Sequence, residues 1–139
     1  MPQPIRSDSI NLDLSKRFPV TTTVGASPSG SSETIIGTLT IPSFADIAVV
    51  SGIIVQGWAA YTVGTSGTAV TLKIRQTNVS GTTVASTGAL TRAATNLAAD
   101  DVNGFDSGAG AGVYVLTMTV TGGAAASTVS ALYLGAVII

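Results

Sequence analysis

Three carboxylates stand close together in one stretch of the chain, Asp100, Asp101 and Asp106, with Asn103 and Gly104 between them. Oxygen ligands at alternating positions around a glycine are what a calcium loop requires. Here Ala99 occupies the place of the first acidic ligand, and no glutamate closes the loop. Ala99–Gly112 therefore reads as a long loop whose Asp, Asn and Gly suit turns, with structural calcium as the alternative. Acid–base hydrolysis needs two carboxylates facing one substrate. Glu33, Asp46 and the three aspartates are available, and no spacing pairs them. The chain has no histidine and no cysteine. That removes the commonest general base, thiolate metal sites and disulfides. A serine nucleophile would have only Lys16 or Lys73 to lean on, at no supporting spacing. Gly108, Gly110 and Gly112 alternate with alanine, but a strand-like run follows where a dinucleotide site needs a helix. The expectation is a non-enzymatic protein with no catalytic residue, no cofactor and no metal.

The aromatic and cationic residues point to contacts instead of reactions. Trp58, Tyr61, Tyr114 and Tyr133 could stack against a sugar ring, yet such residues more often anchor cores and interfaces. Trp58 and Tyr61 are three apart and face opposite sides of a regular strand. Aromatics make up only 5% of the chain, thin for a sugar-binding surface. Lys73 and Arg75 share one strand face, with Arg92 nearby in sequence. They read either as a solvated face or as a contact for a neighbour's acidic patch. A net charge of −1 gives no basic footprint for nucleic acid.

The distribution of charge is the broader signal. Arg6, Asp8, Asp13, Lys16 and Arg17 crowd into the first seventeen residues, and Ser107–Ile139 holds no ionic side chain. A soluble domain carries charge on about a quarter of its residues; this chain carries it on 9%. Much of its surface is therefore expected to face other protein. Mean hydropathy is +0.53. Even so, Ile47–Val55 and Val129–Ile139 fall short of the ~20 residues a membrane helix needs. The aromatic girdles of a membrane barrel are absent as well, so no membrane partner is expected. Arg6, Asp8 and Asp13 interrupt the apolar run that a secretion signal requires.

Two regions follow. Residues 1–19 read as an extended N-terminal arm: Pro2, Pro4 and Pro19 bracket it, and Ile10, Leu12 and Leu14 alternate with polar residues in the period of a half-buried strand. Its own fold or a neighbouring subunit could take up that strand. Residues 20–139 read as an all-β sandwich or jelly roll of about seven or eight antiparallel strands. Ile35, Leu39 and Ile41 alternate along Thr34–Ile41. Ile47–Val63 holds one long strand or two, bent near Gly52 and Gly57, and Gly64–Gly67 reads as a hairpin turn. Val70, Leu72 and Ile74 alternate with Thr71, Lys73 and Arg75. Asn78–Gly81 turns into a strand over Thr82–Thr87, while Ala89–Leu97 suits a helical turn or a strand. Tyr114, Leu116, Met118 and Val120 share a face along Val113–Thr121. Ser127–Ile139 is apolar on both faces, as in a central or interface strand.

Low charge and small side chains favour permanent, symmetric assembly, and an alternating arm can add a strand to a neighbour's sheet. In the run Thr68–Arg75, the glycine-rich approach to Val113–Val120 and the terminal strand Ser127–Ile139, the chain resembles the small β-sandwich structural proteins of tailed-phage virions, of the head decoration or cement type. The resemblance implies a virion protein, trimeric on a capsid, whose partners are like subunits and the major capsid protein. It implies that the arm reaches neighbours, with Ile10, Leu12 and Leu14 as the contact residues. Other readings are an extracellular filament subunit joined by donor-strand exchange, and a carbohydrate-binding module.

Overall fold

A computed structural model describes residues 20–22, 27–41, 52–107, 112–122 and 125–139. The arm with Ile10, Leu12 and Leu14, together with Asp46, Gly108 and Gly110, lies outside the described residues. Among the described residues nine strands form, all pairing antiparallel: β1 (Val20–Thr22), β2 (Thr34–Ile41), β3 (Ile53–Thr62), β4 (Ala69–Gln76), β5 (Thr83–Ser86), β6 (Leu90–Thr91), β7 (Leu97–Asp106), β8 (Gly112–Thr121) and β9 (Thr128–Ile138). No helix occurs among the described residues. The larger sheet runs β1-β2-β8-β4-β5, with the two-residue β6 also on β4; the smaller runs β7-β3-β9. The chain is an all-β antiparallel sandwich, as its sequence leads one to expect.

Alternation decides which residues enter the core. Val70, Leu72 and Ile74 on β4 are fully buried, and so are Leu116, Met118 and Val120 on β8. They meet Ile53, Val55, Ala59 and Tyr61 of β3 from the opposite sheet. Gly57 sits among these inward positions, and it does not bend the strand. A methyl group there would lie 2.9 Å from Leu116 Cδ1 and 3.3 Å from Val102 Cγ1. The position stays glycine because the facing sheet approaches that closely.

Four expectations need correction. Between Ile35 and Gly37 the pairing of β2 with β8 shifts register. This bulge carries Ile36 into the core, fully buried, and leaves Ile35 half-buried. Gly64–Gly67 does turn, with Gly67 N–H donating to Gly64 C=O at 3.0 Å. It joins β3 to β4 in the other sheet, however, so it is an arch and not a hairpin. The Ala99–Gly112 loop is largely strand, since β7 runs through Asp106. Ser127–Ile139 is not central: β9 pairs with β3 on one side only among the described residues. Ala89–Leu97 resolves into the short β6 and a turn, in which Thr95 adopts a φ of 64°.

Candidate interaction surface

Pairing register fixes what the smaller sheet presents outward. Odd-numbered positions of β3 point into the core, so its even-numbered ones face out. Each stands between a β7 and a β9 residue. Reading across the three strands gives Phe105–Ile54–Val137, Asn103–Gln56–Gly135, Asp101–Trp58–Tyr133 and Ala99–Ala60–Ala131, with Leu97 beside Thr62 at the end. Trp58 is 38% exposed, Phe105 52% and Leu97 71%. Tyr133 folds its ring along its own strand, so that a Cβ at Gly135 would strike the phenol oxygen. The result is a face that carries Trp58, Phe105, Leu97, Ile54 and Val137 beside a polar row of Asn103 and Gln56, with a single carboxylate, Asp101, which accepts a 3.2 Å hydrogen bond from Asn103 Nδ2.

The outer face of the larger sheet differs in kind. Its central strands show Thr71, Lys73 and Arg75 from β4 and Thr117 and Thr119 from β8. Glu33, just before β2, is the hub of that face. Arg75 grips it with Nε at 2.6 Å and Nη2 at 2.9 Å, Thr117 Oγ1 donates at 2.5 Å, and Lys73 Nζ lies 3.7 Å away. One carboxylate thus ties together the start of β2, β8 and β4. Lys73 and Arg75 share a face as expected, and they use their charge on their own chain. The Arg75 hydrogen bonds, opposed by burial and helped by Thr117 and the two cationic charges, hold the Glu33 carboxyl below its ordinary 4.5. A depressed carboxyl stabilises the fold above its unfolded value and loses that contribution as pH falls through the folded one. Thermal stability should therefore decline as pH drops below about 4.5. Glu33→Gln should lower the neutral-pH melting point and flatten the decline, as read by calorimetry across pH 2.5–7.

β7 explains why an aspartate-rich stretch can be a strand. Its alternate residues turn Asp100 and Asp106 inward and Asp101 outward. Asp100 accepts from Arg92 Nε at 3.1 Å and also from Arg92 Nη2 and the Tyr61 hydroxyl. Arg92 follows β6, which is bonded to the larger sheet, so this pair fastens one sheet to the other. Burial works to raise the Asp100 carboxyl; the hydrogen bonds of Arg92 and Tyr61, with the Arg92 charge, outweigh it and bring it below its usual value. Asp106 accepts from Tyr114 Oη at 2.8 Å and from Gln76, both on the larger sheet. Burial and the neighbouring carboxylates push both tyrosine hydroxyls above their ordinary range. The two inward aspartates are thus clasps at either end of one flank.

These positions overturn the calcium geometry for Asp100, Asp101 and Asp106, because adjacent aspartates point to opposite faces. No cluster of three metal-ligating side chains occurs among the described residues. The four-residue aromatic platform also dissolves: Tyr61 and Tyr114 are core residues, and only Trp58 and Tyr133 share a face. Glu33 lies on the outside of one sheet while Asp100 and Asp106 lie inside the other, so no acid–base pair forms among them. The partner of Trp58 escapes sequence reasoning, because Tyr133 comes opposite it only through the β3–β9 register, which shifts between Ala60 and Tyr61.

No family model matches the sequence, and no curated protein matches it. Among solved structures, the fold is similar to that of a chain from the T13 IBDV viral particle, with a TM-score of 0.58 at 12% sequence identity. The similarity covers 90% of this chain and 32% of the other, so this chain spans about a third of its length.

Proposed function

We propose that this protein is a non-enzymatic structural subunit of a virion, one that decorates or cements a capsid through contacts with like subunits and the major capsid protein. The observation that carries the reading is the outer face of β7-β3-β9. It sets Trp58, Phe105, Leu97, Ile54 and Val137 in one plane, with a single carboxylate among them. A solvated sheet face would be polar outward; this one sets five large apolar side chains beside the polar Asn103, Gln56 and Asp101. The fold shared with a chain of a viral particle supports the assignment, as does the internal use of the body's cations.

Magnitude limits what the face can do alone. Three strands of ten residues span about 14 Å by 33 Å, roughly 450 Å². A stable pairwise contact covers about 800 Å² on each partner. The face supplies about half of that, so assembly requires a second contact, and the arm with Ile10, Leu12 and Leu14 is the part of the chain suited to give it. In light scattering the purified full-length chain should run as a discrete oligomer, with a trimer as the expected state. A monomer that persists at high concentration, with no affinity for any particle, would contradict the reading. Extended fibres in negative stain would favour a filament subunit instead. Retention on polysaccharide that is lost with Trp58→Ala would favour the Trp58–Tyr133 pair as a sugar platform.

A further inference from the structure

We propose that the outer edge of β9 is the acceptor for the arm strand Ser9–Ser15 of a neighbouring copy of this chain. The inference rests on the assembly reading above and gives the arm a defined landing place. The two sheets are unequal, five strands abreast against three. On one flank β5 lies against β7 and the sandwich is matched. On the other β2 lies against β9, and β1 continues past it. β1 also comes close to β9, and among the described residues no strand pairs with the outer edge of β9.

The edge is chemically inviting. Thr128–Ile138 contains no Lys, Arg, Asp, Glu or Pro, the residues that ordinarily discourage strand addition. A strand placed there would turn one side chain in two toward the sandwich interior, beside the inward residues Leu132, Leu134 and Ala136 of β9. Ile10, Leu12 and Leu14 supply three apolar side chains at that spacing, and Asn11 and Asp13 between them would face water.

Direction decides whose arm it is. Ser127 N–H bonds Pro28 C=O at 2.8 Å, so the approaches to β9 and β2 lie together. β9 ends beside Gly52, where β3 begins, and Gly37 of β2 lies over Leu132 of β9, so the two strands run the same way. β1 pairs antiparallel to β2, with Val20 opposite Leu39 and Thr22 opposite Gly37. β1, followed backward, therefore points toward the C-terminal end of β9. Pro19 biases Phe18 to extended backbone. At about 3.3 Å per residue, an extended run from Val20 back to Leu14 would reach ~20 Å. From the level of Val20, only about 13 Å of β9 remains before Ile138. An arm that continued the line of β1 would pass its own β9, which leaves a neighbour's as the acceptor.

Hydrogen exchange on the full-length chain, followed over a range of concentrations by mass spectrometry of β9 peptides, tests this. Protection across Thr128–Ile138 should rise with concentration, in step with the mass measured by sedimentation. It should be lost in the full-length variant Ile10→Ser, Leu12→Ser, Leu14→Ser. If that variant does not fold, Asn11→Pro, which removes one backbone donor from the arm, should give the same loss. A synthetic peptide of residues 5–18 should restore protection to the variant chain. Protection independent of concentration would mean that the chain's own arm fills the edge, and would overturn the proposal. Association that leaves β9 exchange unchanged would overturn the strand exchange while sparing the assembly reading. A monomer at every concentration would remove both.

Discussion

A chain carrying Trp58→Glu and Phe105→Glu will fold normally and fail to assemble. Both side chains stand on the outer face of the smaller sheet, in rows flanked by Tyr133 and Asp101 for Trp58 and by Ile54 for Phe105. Neither belongs to the buried cluster between the sheets. Exposed substitutions of this kind change stability by about 0.5 kcal/mol or less, so the melting point should hardly move. Buried interface anchors cost about 2 kcal/mol or more when removed. At 1.4 kcal/mol per tenfold, each loss corresponds to roughly thirtyfold in affinity. The carboxylate at position 58, directly opposite Asp101, adds repulsion to that. Sedimentation equilibrium should show the variant shifted to smaller species across the whole concentration range. Thr119→Glu, on the opposite outer face, is the matched control and should leave assembly unchanged. Equal disruption by both would mean that the choice of face is wrong.

Leu116→Ala will have the largest effect on stability. Leu116 is fully buried at the centre of β8. Its Cδ1 fills the space that a side chain at Gly57 would take, and its Cβ lies 3.8 Å from the Cβ position of Gly37. It therefore bridges β2 of its own sheet and β3 of the other. Removing three carbons there leaves a cavity bordered by Val102 and the backbone at Gly57, which strand pairing on both sides holds in place. Leucine-to-alanine changes at such sites cost about 2–5 kcal/mol. For a domain of this size that is a large part of the ~5–15 kcal/mol available. Urea denaturation should show the midpoint falling with little change in slope. A loss under about 1 kcal/mol would mean that the sheets close over the gap, contrary to the tight approach at Gly57.

The parts of the fold that could be read from the chain are those where one strand explains itself. β4 alternates cleanly, and the inward residues of β4 and β8 are the ones the pattern names, although Val115 and Thr117 on the other face of β8 are buried as well. β2 has the bounds its residues suggest, yet its bulge exchanges Ile35 for Ile36, and nothing local announces an extra residue. β7 was hidden for a stronger reason. Asp, Asn and Gly are poor strand formers, and an inward aspartate makes sense only once Arg92, Tyr61, Tyr114 and Gln76 arrive from elsewhere in the chain. The interaction face lay between these cases. The opposite orientations of Trp58 and Tyr61 follow from their spacing, whereas the Asp101–Trp58–Tyr133 row depends on two pairing registers. Low charge pointed to covered surface without indicating where. The body's cations turned out to be tied to Glu33 and Asp100, which leaves the smaller sheet's face nearly free of ions.

The aspartate clasps have a consequence for how copies can meet. Carboxylates pointing inward along β7 make that side of the sheet a poor template for another backbone, since any added strand would press against groups already held by the facing layer. The far side, along β9, carries no such guard. A building block sealed on the left and receptive on the right cannot pair symmetrically through its sheet margins into an endless ribbon. If each copy gives to one neighbour and takes from another, the rotation per step decides whether the handover closes into a ring or winds into an open filament.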